Sequence, residues 1–199
     1  MKTKGRLFIV SAPSGAGKSS LINAVLAEWQ GEYPLERVVT FTSKVPRHCE
    51  RDGIDYHFIT PEQFERKAQE GFFLEWSGAY GAYYGTPNSI LKGMELGTSY
   101  ILIIDRVGAE QVLHKVPGAI LIWITVSSIE ELESRLVLRE TETKAQIKSR
   151  IERARIEISA EKNEPFYHHY VENSDFSAAK LKIFSILLNT LNSSDRNSL

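Results

Sequence analysis

The stretch at residues 11–20 combines glycine, serine and lysine in the order that a phosphate-binding loop requires. Gly15 and Gly17 let the backbone turn its N–H groups inward, where they can surround phosphate oxygens. A helix that begins after Gly17 adds the positive end of its dipole, and Lys18 can reach the β- and γ-phosphates. The hydroxyl of Ser19 can ligate Mg²⁺ beside the phosphates. This stretch therefore predicts binding of a nucleoside triphosphate.

One position departs from the G-x-x-x-x-G-K-[ST] pattern, since Ala12 stands at the first glycine. The alternative interpretation is a glycine- and serine-rich turn before a helix that happens to contain a lysine. The flanks favour the phosphate loop, because an apolar run at residues 7–10 precedes it and a helix-like stretch at 21–28 follows it. Strand, loop and helix form the context that this pattern needs.

A second cluster of cationic and hydroxyl side chains lies within residues 40–58. Lys44, Arg47 and Tyr56 are near one another there, with few apolar residues between them. Two cations and a hydroxyl donor suit a phosphate monoester. The residues alone favour the plainer interpretation, a solvated hairpin with surface charges, because charge runs usually mark solvated faces.

Three arginines in the charged segment at residues 129–158 form a third candidate group. Arg135 and Arg139 are four positions apart on a predicted helix and share a face, and Arg150 lies on the following helix. Converging arginines can neutralise the charge on a transferring phosphoryl group. The alternative is surface pairing with nearby acids, namely Glu131, Glu133, Glu140 and Glu142. The spacing alone leaves both interpretations open.

The elements that must position these residues follow an alternating order. Apolar runs predict buried parallel strands at residues 7–10, 100–104, 119–126 and around 170–171. Helix-like stretches separate them at residues 20–28, 106–114, 129–139 and 178–191. This alternation predicts an α/β fold with a central parallel sheet flanked by helices, and ligands at the carboxyl ends of the strands.

Two segments interrupt the alternation. Strand-like runs at residues 38–42 and 55–59, with a helix opening at Thr60 and Pro61, predict an inserted α+β lobe over about 38–91. Two charged helices joined by a polar turn predict a mobile lid over about 129–158. The single domain of residues 1–199 would then keep its core in the remaining segments, about 1–37, 92–128 and 159–199. A loop, a lobe and a lid together indicate a kinase that shuts water out.

Composition limits the partners. The chain has 199 residues and a net charge of −1, so no general basic field attracts nucleic acid. Its one cysteine, Cys49, excludes an internal disulfide framework and fits a reducing cytoplasm. No apolar run is long enough to cross a bilayer, which predicts no membrane partner. Either a monomer or a homodimer is compatible with the sequence.

Further short motifs follow in order along the chain. They are Pro46-Arg47 through Glu50 to Tyr56 and Phe58, then Phe73-Leu74-Glu75, Tyr83-Tyr84-Gly85-Thr86, Asp105 with Gly108, and Asn173 with Asp175-Phe176. Together with the loop at residues 9–21 and the three arginines, they resemble the motifs of guanylate kinases, which phosphorylate GMP with ATP. The likeness covers nearly the whole chain and is more specific than the loop alone. It implies a P-loop kinase fold with a lobe for the nucleoside monophosphate and a helical lid.

The resemblance also implies a role for each matching residue. ATP, with Mg²⁺ as cofactor on Ser19, would bind Ala12, Pro13, Ser14, Gly15, Ala16, Gly17, Lys18, Ser19, Ser20 and Asn173. GMP would bind Thr40, Lys44, Arg47, Glu50, Tyr56, Glu75, Tyr84, Thr86 and Asp105. The catalytic residues would be Lys18, Arg47, Arg135, Arg139 and Arg150. Glu75 would accept hydrogen bonds from guanine N1–H and the exocyclic amine, a pair of donors that adenine lacks on that edge.

The chain departs from the family pattern at four positions, three within residues 40–58 and one in the apolar run at residues 100–104. Lys44 replaces an arginine, Thr40 a serine and Cys49 a glycine. Ile103 stands where the family has the first of two aspartates, which leaves Asp105 to serve the metal shell, the guanine or both. Two alternatives therefore stay open beside GMP phosphorylation. One is a related kinase for another phosphorylated acceptor, such as a ribose phosphate, and the other is a weakly active module that binds protein partners.

Overall fold

A computed structural model describes residues 4–79, 81–138 and 143–196 of the chain. Its strands are β1 (Leu7–Ser11), β2 (Leu35–Arg37), β3 (Phe41–Thr42), β4 (His57–Phe58), β5 (Phe73–Ala79), β6 (Ala82–Pro87), β7 (Ser99–Ile103), β8 (Ile120–Thr125) and β9 (His169–Glu172). Its helices are α1 (Lys18–Ala27), α2 (Pro61–Gln69), α3 (Ile90–Glu95), α4 (Arg106–Lys115), α5 (Ile129–Val137), α6 (Lys144–Asn163) and α7 (Phe176–Arg196).

The central sheet is parallel and has the strand order β2-β7-β1-β8-β9. Four of its strands coincide with the predicted apolar runs, so the α/β prediction with a parallel sheet is confirmed. Strand β2 was not predicted, because this three-residue edge strand is only half-buried and has no unbroken apolar run. The order places the carboxyl end of β1 between those of β7 and β8.

The core lies on both faces of this sheet, since successive side chains of a strand point to opposite sides. In β1, Phe8 and Val10 pack with the buried residues of α1, α5 and α7, whereas Leu7 and Ile9 pack with those of α3 and α4. All four are at most 1% exposed. Burial on both faces explains why the run at residues 7–10 is continuously apolar.

A second sheet has the order β4-β3-β6-β5. Its strands β3 and β4 are shorter than the runs predicted at residues 38–42 and 55–59. Val38 contacts the central sheet and not the second one, because its N–H donates to the Ile101 carbonyl at 2.9 Å. Asp55 belongs to a turn, because its N–H donates to the Arg51 carbonyl at 2.9 Å.

Helix α2 covers one side of the second sheet. As predicted, Thr60 caps it and Pro61 begins it, and the side chain of Gln63 completes a capping box with Thr60. The ring of Phe64 stacks on Phe73 at 4.4 Å and on Tyr83 at 5.2 Å between centroids. These aromatic contacts hold β5 and β6 against the helix.

The two charged helices α5 and α6 follow β8. Both begin with a side-chain cap, from Ser128 for α5 and from Thr143 for α6. The end of α6 is fixed by the buried carboxylate of Glu161, which pairs with Arg106 and accepts from the backbone N–H of Phe166 at 2.9 Å. Among the described residues, no helix has the length and apolarity needed to span a membrane.

Candidate active site

The predicted phosphate loop connects the end of β1 to the start of α1. Gly15 and Gly17 have φ values of 95° and 83°, in the left-handed region that side chains disfavour. A Cβ atom at Gly17 would also lie 2.8 Å from Nδ2 of Asn173, too close for a nonbonded contact. Backbone shape and steric space therefore both require glycine at this position.

Two features make the loop suitable for anions. Lys18 is the first residue of α1, and its Nζ donates to the Ala12 carbonyl at 2.7 Å, so the ammonium group lies across the loop. The first turn of α1 contains no acidic residue, and the hydroxyl-bearing side chains of Ser19 and Ser20 are exposed there. The positive end of the α1 dipole and the ammonium group of Lys18 therefore both favour an anion at the loop.

Ala12, the departure from the glycine pattern, is explained by packing. Its side chain is 5% exposed and belongs to the core cluster that contains Val10 and Ala16. The methyl group at this position is therefore buried among apolar side chains of the core.

Side chains from distant parts of the chain converge on the loop. Asn173 donates from Nδ2 to the Ala16 carbonyl at 2.8 Å, and Arg135 donates to the Asn173 carbonyl at 2.5 Å. Arg150 donates from Nε to the Ser14 hydroxyl at 2.8 Å. Two of the three predicted arginines therefore lie beside the loop, and Arg139 lies outside the described residues.

A cavity of about 280 Å³ opens between the loop, α5 and the segment after β9. Its lining residues are Gly15, Gly17, Ser20, Arg135, Leu138, Asn173, Ser174 and Phe176. Sequence reasoning did not assign Leu138, Ser174 or Phe176 to the site. For Phe176 the available signal was the motif of Asn173 with Asp175-Phe176, and for Leu138 and Ser174 there was none. A cavity lined by apolar and cationic side chains beside a phosphate loop suits a nucleobase and ribose.

The predicted phosphate-monoester cluster is assembled at the edge of the second sheet. Lys44 forms an ion pair with Glu50, which also accepts from the backbone N–H of Arg47 at 2.8 Å. The Lys44 ammonium lies 4.7 Å from the centre of the Tyr56 ring, and that ring is 6.1 Å from the ring of Tyr84. Burial raises the pKa of the Tyr56 hydroxyl, so it stays a hydrogen-bond donor at neutral pH.

Glu75 is a carboxylate in an almost dry environment. It is 4% exposed, and the Thr86 hydroxyl donates to its Oε1 at 2.5 Å. Loss of solvent raises its pKa to about 7, an effect that Asp105 increases while the Thr86 hydrogen bond and Lys115 oppose it. The hydroxyl and the backbone N–H of Thr86 both donate to Glu75, and a carboxylate with two neutral donors still has lone pairs available for two more.

Asp105 lies beside Glu75, whereas Thr40 is buried next to β4 with no contact to Glu75 among those described. Asp105 caps α4 because its Oδ1 accepts from the Gly108 N–H at 2.9 Å. Gly108 packs so close to Glu75 that a Cβ there would be 2.9 Å from Oε2. Thr40 is buried, and its carbonyl accepts from the His57 N–H at 2.8 Å.

Ile103 is the last residue of β7 and lies beside Val10 of β1 in the register of the sheet. The side chain is half-buried and packs against the core cluster around α1. This end of β7 is therefore next to the start of the phosphate loop. Across the described ranges, no three His, Cys, Asp or Glu side chains form a group suited to a metal ion.

The chain is similar to known guanylate kinases over most of its length. The family model for guanylate kinase matches residues 4–190. A guanylate kinase of Chromobacterium violaceum is 43% identical over 184 residues, which cover 92% of this chain and 85% of the relative. A guanylate kinase of Syntrophotalea carbinolica is 39% identical over 189 residues, which cover 94% and 87%. The crystal structure of guanylate kinase from Anaplasma phagocytophilum matches with a TM-score of 0.77 and 26% identity, covering 95% of this chain and 87% of that one.

Proposed function

Because the chain belongs to the guanylate kinase family, we propose that it transfers the γ-phosphoryl group of ATP to GMP and forms ADP and GDP. The observation that carries the proposal is the buried carboxylate of Glu75, which accepts from Thr86 and keeps lone pairs for a nucleobase. A carboxylate without solvent is costly unless a ligand supplies donors. Guanine supplies two, N1–H and the exocyclic amine.

The donor nucleotide is assigned to the loop between β1 and α1. Backbone N–H groups of the loop and the ammonium of Lys18 hold the phosphates, and the cavity next to Asn173 holds the adenosine. The Ser19 hydroxyl fits a Mg²⁺ ligand because it is exposed in the first turn of α1. Mg²⁺ bound with ATP supplies charge neutralisation at the phosphate oxygens.

The acceptor is assigned to the second sheet and α4. Lys44, Arg47, Tyr56 and Tyr84 hold the phosphate of GMP. Glu50 orients the ammonium of Lys44 through an ion pair and fixes the backbone at Arg47 by accepting from its N–H. Glu75, Thr86, Asp105 and Thr40 bind the guanine edge. The lobe over residues 38–91 and the lid over residues 129–158 are the parts expected to move when both substrates are bound.

Transfer requires positioning and charge neutralisation and no general base. An ionised oxygen of the GMP phosphate attacks the γ-phosphorus, and the bond to the β–γ bridging oxygen breaks and leaves ADP. Lys18, Arg135 and Arg150 lie at the loop where negative charge develops, and Arg47 and the undescribed Arg139 are proposed to join them. Closure of the lid excludes the water that would otherwise take the phosphoryl group.

Selection of guanine follows because guanine offers Glu75 two hydrogen-bond donors that adenine does not offer. A hydrogen bond to an ionised group contributes about 1.5–3 kcal/mol, and adenine offers Glu75 no matching pair of donors. AMP in the same position would leave the buried carboxylate with its Thr86 contacts and without the two donors of a base. We expect discrimination on the order of 10²-fold or more in kcat/KM.

A panel of acceptors with ATP and Mg²⁺ tests the proposal. GMP should be phosphorylated with a kcat/KM at least about 10²-fold above that of AMP, CMP or UMP. Ribose 5-phosphate belongs in the panel, because Lys44 and Ile103 favour the second candidate, a related kinase for another phosphorylated acceptor. Turnover of the ribose phosphate in preference to GMP would replace the first proposal with the second. ATP binding without any turnover would favour the third, a weakly active binding module.

We further infer that the protein works in the cytoplasm, as a monomer or homodimer, with no nucleic acid or membrane partner. Its one cysteine, Cys49, is exposed and free, which suits a reducing compartment. A net charge of −1 gives it no general attraction for nucleic acid.

A further inference from the structure

One face of α6 carries charged side chains that contact both substrate regions. Arg150, Arg153, Glu157 and Glu161 are separated by three, four and four positions, a spacing that puts them on the same side of a helix. Arg150 contacts Ser14 of the phosphate loop, and Glu161 anchors the end of the helix to Arg106. Arg153, which lies between them in this row, has no role assigned in binding the donor nucleotide.

Arg153 faces the acceptor region. Its Nη2 lies 3.8 Å from Oδ2 of Asp105, and its Nε donates to Glu157 at 3.3 Å. The pair with Glu157 is an ordinary contact within one helix turn. The contact with Asp105 joins α6 to the end of the central sheet, 48 positions away in sequence.

The two oxygens of Asp105 have different neighbours. Oδ1 is held by the Gly108 N–H at the start of α4, which fixes the orientation of the carboxylate. Oδ2 faces Arg153 and remains able to accept a second donor. A Cβ at Gly108 would lie 2.9 Å from Oε2 of Glu75 and 3.4 Å from Oδ1 of Asp105, so Asp105 is close to the proposed guanine position. A donor of the base and the guanidinium of Arg153 can therefore share one carboxylate.

We propose that Arg153 is a positioning residue that couples acceptor binding to closure of α6 over the donor. When guanine donates to Asp105, it further restrains the carboxylate oxygen that Arg153 faces. The position of α6 that favours the Arg153–Asp105 contact is also the one that brings Arg150 to Ser14, one helix turn away. Each nucleotide then strengthens binding of the other by the same factor, as linkage requires. This inference rests on the proposed function, because it needs GMP at Glu75 and Asp105.

The solvent exposure of Arg153 and Asp105 sets the expected size of the coupling between the two nucleotides. The side chains of Arg153 and Asp105 are 35% and 28% exposed, so solvent screens the pair. Pairs of this kind change an equilibrium by roughly 1.5- to 5-fold. Removing Arg153 should therefore reduce the mutual strengthening by about 2- to 5-fold, and should leave the affinity for GMP alone nearly unchanged.

Calorimetry measures this coupling directly. GMP is titrated into the protein with and without saturating Mg²⁺ and a non-hydrolysable ATP analogue, and the ratio of the two dissociation constants is the coupling factor. The variants are Arg153→Ala, Arg153→Lys, which retains the charge, and Arg155→Ala. Arg155 is an exposed arginine on another side of the same helix and serves as the matched control. Thermal melting of each variant checks that it folds.

The inference predicts a lower coupling factor for Arg153→Ala, an intermediate one for Arg153→Lys and an unchanged one for Arg155→Ala. An equal factor in the parent and Arg153→Ala, equal losses in both alanine variants, or a factor of one in the parent would overturn it. If the parent bound no GMP at all, the proposed function would fail first. GMP binding with unchanged coupling would refute only the role of Arg153.

Discussion

The charge state of Glu75 should control guanine binding near neutral pH. Its burial raises the pKa to about 7, and only the ionised carboxylate can accept from both guanine donors. Ionisation falls from about nine-tenths at pH 8 to about one-tenth at pH 6. The affinity for GMP should therefore decrease about tenfold over this interval.

The same carboxyl should make the unliganded protein less stable as the pH rises. The folded pKa of about 7 exceeds the ordinary value of 4.5, so the folded state binds the proton more tightly than the unfolded state. Glu75 therefore costs little stability below pH 4.5, and its cost grows as the pH rises to 7 and is complete above it. The full cost is up to about 3 kcal/mol.

The variant Glu75→Gln separates these effects from the rest of the protein. It should bind GMP weakly, and it should be more stable than the parent at pH 8 by up to about 3 kcal/mol. The phosphate of GMP itself loses a charge near pH 6, and the variant keeps that contribution to the pH profile. The difference between the two profiles thus isolates Glu75.

The assay combines GMP titrations at pH 5.5 to 8.5 with urea unfolding of the free protein at the same pH values. Glu70→Gln is the control, because Glu70 is an exposed carboxyl at the end of α2 and its loss should change neither profile. Parallel GMP profiles for the parent and Glu75→Gln would refute the reasoning. So would a Glu75→Gln variant that unfolds at lower urea than the parent at pH 8.

Three further substitutions test the loop and the departures from the family pattern. Lys44→Arg should lower KM for GMP about threefold with little change in kcat, because a guanidinium binds phosphate through two parallel hydrogen bonds. An unchanged KM would show that this pair of hydrogen bonds is not needed. Ile103→Asp should raise kcat under saturating Mg²⁺ and reduce stability by roughly 1–3 kcal/mol, since a half-buried apolar side chain becomes a carboxylate. Equal kcat values for the parent and the variant in steady-state assays would show that the missing carboxylate does not limit turnover. Gly17→Ala should raise KM for ATP at least about tenfold through backbone strain and contact with Asn173. Gly71→Ala, at a similar φ of 68° with open space around it, should cost stability alone.

Local patterns were sufficient for much of the fold. The phosphate loop, the cap at Thr60 and the buried runs of the central sheet depend on residues that are neighbours in sequence. Their physical causes, which are left-handed glycines, capping side chains and burial on both faces, are all visible in a short window. Strand β2 lacked such a signal because it is short and lies at the edge of the sheet.

The site depended more on contacts between distant residues. Arg150 and Ser14 are 136 positions apart, and Asn173 and Ala16 are 157 apart, so their hydrogen bonds follow from the fold and not from spacing. The raised pKa of Glu75 likewise comes from burial between β5 and α4, which no local pattern reveals. The family resemblance predicted these residues, whereas the distances between them and the burial of Glu75 became visible only in the structure.

The position of Asp105 bears on the question that Ile103 left open. One oxygen of Asp105 caps α4 and the other faces Arg153, while its charge acts on Glu75. These contacts support the proposal that Asp105 serves the acceptor. Ile103 is in register with Val10, next to the strand that leads into the phosphate loop. Under the proposed function, we therefore expect the missing carboxylate to affect the donor phosphates more than guanine recognition through Glu75 and Asp105.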